Sequence, residues 1–255
     1  SFCAHSEGYT KLVLRSPAHV RAELDELVAR YPWVHGVMLY DDEVNIRPDL
    51  EALLETLGAV ARDRDLVFRG FFKSGKKYMT DDLFARFKAA GFDYLCTGAE
   101  SGDPEVLRLV GKGATRDDNT AFVRLCAKHG IKPKVFTQVG LPGERPESVE
   151  ATARWLEEMA GEGLTDADVT ITTPTSGTPI YETPEKFTGL IAFDKAELDS
   201  NSEAVNYKGR SGEYKSFVST PWLSRADIVR ARDDVERRFR KAARLPALVG
   251  GKDDG

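Results

Sequence analysis

The sequence predicts an α/β fold built on a parallel sheet, on three observations. Short apolar runs rich in β-branched and aromatic residues recur with starts roughly 30 to 40 residues apart, the length of a strand–helix unit. The segments between them carry helix periodicity and recognisable caps. Each run gives way to a polar or glycine-rich stretch, and parallel α/β sheets place their ligands at such strand ends.

The five runs lie at 34–40, 66–72, 94–98, 134–140 and 168–173. Each is short and apolar, as expected of a strand covered on both faces. Ser16-Pro17 reads as an N-cap followed by proline in the first turn, opening a helix through Leu27. Thr80 caps a helix over 81–90 that Gly91 ends, and Thr115 caps another that runs to His129 and stops at Gly130. Residues 147–159 form a further helix, with Thr152, Trp155, Leu156 and Met159 on one side. Repeated β-α-β units imply right-handed crossovers. Five strands are too few for the closed eight-stranded barrel, so a doubly wound sheet or an incomplete barrel remains. The chain opens on a loop and a helix without an initiator Met, so a strand is expected to precede residue 1.

Beyond Tyr181 the pattern changes. Residues 183–216 are polar and irregular and are expected to form a lid or linker; 217–223 turn apolar again, and Ser224 caps a long charged helix to about residue 244. Ile228, Val235 and Phe239 place one inward stripe on that helix. The expected division is a core over 1–182 and a C-terminal extension over 183–255.

Composition narrows the function. Apolar residues make up 41% and charged residues 30% of the 255, which suits a folded domain of this length. A net charge of −5 gives no electrostatic case for nucleic acid. No apolar run approaches the roughly 18 residues of a membrane span, and no basic, apolar leader opens the chain. Three cysteines at 3, 96 and 126 are odd in number and widely spaced, so a reducing, cytoplasmic setting is expected rather than a disulfide framework.

The candidate residues follow the strands. Asp41-Asp42-Glu43 after the first run is either a solvated turn or a cluster that a bound cation or ammonium relieves. Arg69 and Lys73 at the second are surface charges or anion ligands. Glu100-Ser101 after the third either caps the helix near Pro104 or faces a ligand. Gly140-Leu141-Pro142-Gly143 after the fourth is a tight turn in either case. Pro174 and Gly177 follow the fifth. Cys96 and Cys126 read as small buried hydrophobes, and the four histidines show no metal-ligand spacing. No nucleophile elbow and no Walker loop appears.

Taken in order, these segments resemble the radical S-adenosylmethionine (SAM) superfamily. Ser1-Phe2-Cys3 looks like the end of its C-x3-C-x-(aromatic)-C cluster motif. Lys11-Leu12-Val13-Leu14-Arg15-Ser16-Pro17 resembles the R-S-P segment after the cluster loop. Asp41-Asp42-Glu43 is similar to the acidic motif that often reads Gly-Gly-Glu. Glu100-Ser101-Gly102-Asp103 with Lys112-Gly113 resembles the G-x-E-S-G…K-G element. Gly140-Leu141-Pro142-Gly143-Glu144 is similar to G-L-P-G-E, and Pro174 with Gly177-Thr178-Pro179 and Tyr181 to P-Y-P-G-T-P-x-Y. The likeness is to the branch that pairs this core with an upstream cobalamin-binding domain, and Val218-Ser219-Thr220 with Leu223-Ser224 also fits that branch.

The resemblance implies a partial parallel (β/α)6-type barrel missing its first strand, N-terminally truncated, plus a C-terminal helical extension. It implies a four-iron, four-sulfur (4Fe-4S) cluster with Cys3 as one ligand, SAM, and cobalamin on a domain outside this chain. Asp42 and Glu43 would face the SAM ammonium, and Glu100 and Ser101 its methionine or ribose part. Gly140, Pro142, Gly143 and Pro174 would shape the adenine end, while Arg69 or Lys73 would pair with the carboxylate. The implied activity is radical chemistry, with cobalamin-dependent methyl transfer to an unactivated centre as the specific form. The implied partners are a small-molecule or peptide substrate and an external electron donor of the flavodoxin or ferredoxin kind. With one cluster cysteine of three, the chain alone is expected to be inactive. Two other readings remain: a cluster-free lyase or isomerase gripping an anionic substrate through Arg69 and Lys73, and a non-catalytic remnant domain.

Overall fold

The computed structural model describes residues 13–200 and 213–246. Five parallel strands form one sheet: β1 (Gly36–Leu39), β2 (Val67–Phe71), β3 (Phe92–Glu100), β4 (Lys132–Val139) and β5 (Asp166–Ile171). Their spatial order is their chain order, each strand pairing in parallel with the next. A doubly wound sheet needs a point where the order reverses. None occurs among these strands, so the helical crossovers share one face and the sheet is an arc of a barrel.

Up to β5 the helices lie where local signals put them, with one exception. In α1 (Pro17–Arg30) the Ser16 hydroxyl accepts the His19 amide at 3.2 Å. The sequence reading marks no helix between the first two strands, yet α2 (Leu50–Arg64) fills that gap. It buries Leu53, Leu54, Leu57 and Val60, but Asp49 makes no side-chain cap bond, so no terminal signal announces it. Thr80 caps α3 (Asp81–Ala89), and Asp103 caps the short α4 (Pro104–Leu109). Thr115 and Asp118 form a reciprocal capping box on α5 (Arg116–Lys128), and Pro146 opens α6 (Pro146–Gly161). Between sheet and helices packs an aromatic core in which Phe72 meets Phe84 at 5.1 Å and Phe87 meets Phe92 at 4.8 Å. Each such ring buries roughly 1.5–3 kcal/mol of transfer free energy.

The expectation that the strands are apolar on both faces fails. On β5, Ala167, Val169 and Ile171 are buried toward the helices, while Asp166, Asp168 and Thr170 alternate onto the other face. On β4 the same alternation sends Lys134, Phe136 and Gln138 inward. The reason is the barrel arc: helices cover only the outer face, so the inner face is free to carry polar side chains.

Past β5 come α7 (Pro179–Glu182), β6 (Ala192–Phe193), α8 (Lys195–Ser200), β7 (Val218–Ser219) and α9 (Arg225–Ala242). β6 and β7 pair antiparallel across residues 201–212, which lie outside the described residues. The α9 helix packs on α6 and β5, with Ile228, Val235 and Phe239 joining the main core. Arg232 on α9 donates to the Val169 carbonyl at 2.8 Å, satisfying an acceptor on the sheet edge. Among the described residues no helix is long and apolar enough to cross a membrane.

Candidate functional site

Because the sheet is parallel, the segments after its strands share one rim. Asp42, Glu43, Lys73, Ser101, Gly140, Pro142, Gly143 and Pro174 follow the carboxyl ends of their strands there, and Glu100 is the last residue of its own. Arg69 does not: it lies within β2, level with Tyr94, on the inner face.

Glu100 is the most constrained of these. It ends β3 with φ 62°, a left-handed conformation that a non-glycine residue adopts at a cost. The register of β3 against β4 shifts between Gly98 and Glu100, so the turn is built into the sheet. Lys112 donates to Glu100 Oε1 at 3.0 Å and Gln138 donates to Oε2 at 2.8 Å. Thr172 in turn donates to Gln138 at 3.4 Å, so the chain of bonds crosses from β5 to β3. Gly98 leaves room beneath this pair, since a Cβ there would stand 2.4 Å from Glu100 Oε1 and the carboxylate would have to shift. Behind the strand, Asn119 on α5 donates to the Ala99 carbonyl at 3.2 Å and accepts from Ser74 at 2.7 Å. Ser101 is buried against α6, with its oxygen 3.1 Å from the Thr152 hydroxyl and accepting from the Asp103 amide.

The rim after β1 and β2 is paired across the two strands. Lys73 Nζ lies 3.1 Å from Glu43 Oε2 in an ion pair. Asn45, which is buried, clamps the Lys73 backbone by accepting its amide at 2.7 Å and donating to its carbonyl at 3.1 Å. Asp42 lies exposed beside them.

The loop after β4 supplies shape and backbone rather than charge. Gly140 and Gly143 have φ 91° and 79°, which favours glycine at both positions. Glu144, fully buried, accepts the Gly140 amide, and Thr220 donates to the Glu144 carbonyl at 2.9 Å. Burial pushes the Glu144 carboxyl up to about 8, with the backbone amides of Gly140 and Leu141 opposing the shift. After β5, Pro174 is buried, and Thr178 caps α7 while donating to the Thr175 carbonyl at 2.7 Å.

Cys3 lies outside the described residues. Among the described residues no three His, Cys, Asp or Glu side chains gather as a metal site. Cys96 and Cys126 are fully buried, and desolvation raises both thiols, the wrong direction for a thiolate ligand. Sequence reading missed the roles of Gln138, Asn45 and Asn119. Gln138 was recoverable from its two-residue spacing to Lys134 and Phe136. No local signal distinguishes a buried, bonded asparagine from a surface one.

The sequence model of the Radical SAM superfamily matches residues 1–156. An uncharacterized methyltransferase of Pyrococcus horikoshii is 32% identical over 95 residues, covering 37% of this chain and 20% of that protein. The anaerobic magnesium-protoporphyrin IX monomethyl ester cyclase of Rubrivivax gelatinosus is 26% identical over 165 residues, covering 63% of this chain and 29% of that one. Among solved structures, the methyltransferase TsrM from Kitasatospora setae, with cobalamin and a 4Fe-4S cluster bound, has a TM-score of 0.62 at 20% identity. That match covers 94% of this chain and 49% of TsrM. Coproporphyrinogen III oxidase from Escherichia coli has a TM-score of 0.54 at 18% identity, covering 93% of this chain and 49% of that one. The chain therefore spans under a third of these curated relatives and about half of these solved structures.

Proposed function

The chain belongs to the radical SAM superfamily, and we propose that its rim holds SAM beside a 4Fe-4S cluster in an enzyme of cobalamin-dependent methyl transfer. The observation that carries the reading is Glu100, a carboxylate kept in a strained backbone conformation on the rim by Lys112 and Gln138. Strain of this kind persists only where its surroundings over-determine it, and it gathers at ligand sites.

The rim residues fit SAM in kind. Glu100 offers a fixed acceptor for the ribose hydroxyls or the methionine amine, and Ser101 fixes the turn that follows it through Thr152. Asp42 and Glu43 supply negative charge for the ammonium. Lys73, now on Glu43, supplies positive charge for the carboxylate. Gly140, Pro142, Gly143 and Pro174 would shape the adenine end. The reduced cluster and SAM together supply the one-electron chemistry when bound. The protein orients them and keeps water away. On this reading Cys3 would supply one thiolate to the cluster, and the cobalamin would be held by a domain other than this one.

The methyl-transfer reading rests on the motif order through Val218-Ser219-Thr220 and Leu223-Ser224, and TsrM, whose fold is similar, binds both cobalamin and a cluster. An external one-electron donor of the flavodoxin or ferredoxin kind and a small-molecule or peptide substrate would complete the scheme. The test is electron paramagnetic resonance of the complete natural polypeptide, reconstituted anaerobically and reduced. Addition of SAM should change the cluster signal. A loaded cluster whose spectrum ignores saturating SAM would sink the reading.

A further inference from the structure

The inner face of the sheet is built in two layers. Toward the amino ends of the strands lies a charged layer. There Lys134 is spent on two carboxylates, Asp166 at 2.7 Å and Asp168 at 2.9 Å, and Tyr94 donates to Asp166 at 3.2 Å. Arg69 differs. Its guanidinium lies 4.5 Å from the Tyr94 ring centroid and its Nε is buried without a hydrogen-bond acceptor. Among the described residues no carboxylate forms an ion pair with it; the Cys96 thiol is its polar neighbour.

One layer nearer the rim the face turns aromatic. Phe71 on β2 and Phe136 on β4 meet with centroids 5.9 Å apart, although β3 runs between their strands. Gly98 on β3, level with Phe136, has no side chain to separate them. Tyr40 extends the shelf, 6.0 Å from Phe71 and 85% exposed.

We propose that this inner face binds a substrate with an apolar, ring-bearing body and a carboxylate, the body on Phe71 and Phe136 and the carboxylate on Arg69. The two anchors sit two residues apart on one strand, about 6.6 Å, a span that a ring and a short side arm cover. A guanidinium takes a carboxylate through two parallel bonds, and a half-buried one with no carboxylate hydrogen-bonded to it gains more from it than an exposed one does. The charged layer is neutral as a whole, since Arg69 and Lys134 balance Asp166 and Asp168. The carboxylate is therefore selected by a guanidinium fork that no carboxylate bonds and whose Nε has no acceptor, and not by long-range attraction. That this ligand is the substrate rests on the proposed function, because the shelf lies directly below the rim of Glu100 and Gln138.

The test uses the chain with no cluster or SAM, so its failure and the failure of the enzyme reading are separable. Ligand-observed NMR titration compares 3-phenylpropionate with 3-phenylpropionamide, which differ only in the charged group. The acid should bind at least about ten-fold more tightly than the amide, as a charge-assisted bond implies. Arg69→Gln should bring the two to equal affinity, and Arg69→Lys should restore part of the difference. Phe136→Ala should weaken both probes alike and leave their ratio intact. Circular dichroism confirms that each variant is folded. Equal binding of acid and amide by the wild type, a preference that survives Arg69→Gln, or no binding of either probe would each overturn the proposal.

Discussion

Asn119 reaches from α5 to the Ala99 carbonyl, 3.2 Å away, and so holds the backbone immediately before the left-handed Glu100. The same side chain accepts from Ser74, whose hydroxyl also accepts from Thr97 at 3.3 Å. A fully buried amide on the outer side of the sheet thus sets the position of a carboxylate on its rim.

Asn119→Ala should therefore cost stability well beyond a surface substitution. It removes two buried hydrogen bonds, at about 0.5–1.5 kcal/mol each, and leaves a small cavity, while the Ala99 carbonyl keeps the Ser101 amide and the Ser74 hydroxyl keeps Thr97. Urea unfolding should show a loss on the order of 2–4 kcal/mol with little change in the slope. A loss within experimental error would mean that water or a neighbour replaces the amide.

Stability should fall as pH rises through the range where Glu144 ionises. Its folded carboxyl is raised from 4.5 to about 8 by burial, so the folded state holds the proton more tightly than the unfolded state does. The contribution is full below pH about 4.5 and is lost progressively up to about 8, on the order of 5 kcal/mol in all. Glu144→Gln keeps an acceptor for the Gly140 amide and removes the ionisation. Thermal melts from pH 5 to 8 should slope downward in the wild type and run flatter in the variant; parallel curves would show that Glu144 does not titrate in this window.

Glu100→Ala should weaken SAM binding by roughly ten- to a hundred-fold in the cluster-loaded polypeptide, the worth of a charge-assisted hydrogen bond. Cys126→Ser, at a buried site on α5, should leave SAM affinity unchanged. Calorimetric titration distinguishes them. Equal affinities for wild type and Glu100→Ala would remove Glu100 from the site.

Iron and sulfide analysis of the 255-residue chain after anaerobic reconstitution should give fewer than four irons. Cys96 and Cys126 are buried on β3 and α5, with thiols shifted away from the thiolate form. Four irons per chain with charge-transfer absorption would show that Cys96 and Cys126 both turn outward to ligate beside Cys3.

Much of the fold was legible because its signals are local. Ser16, Thr80, Thr115 and Ser224 each cap the helix expected of them. A cap is a bond between residues three apart, so a short stretch of sequence contains both partners. The helix over Leu50–Arg64 escaped for the converse reason, since it has no side-chain cap and is held by the buried stripe of Leu53, Leu57 and Val60. The rim was legible too, because a residue after a parallel strand belongs to the rim whatever its partners are.

By itself, then, the sequence determined the parallel strand–helix repeat, the family through its ordered motifs, and the rim that Glu43, Lys73, Glu100, Gly140 and Pro174 share. Only the tertiary structure chose the barrel arc over a doubly wound sheet. It also put Lys73 on Glu43, Gln138 and Lys112 on Glu100, and left Arg69 over Tyr94 without a carboxylate. Those pairings join residues on different strands and loops, up to 38 positions apart for Glu100 and Gln138. Which charges neutralise each other depends on strand order and on which face each side chain takes, and both are properties of the assembled sheet.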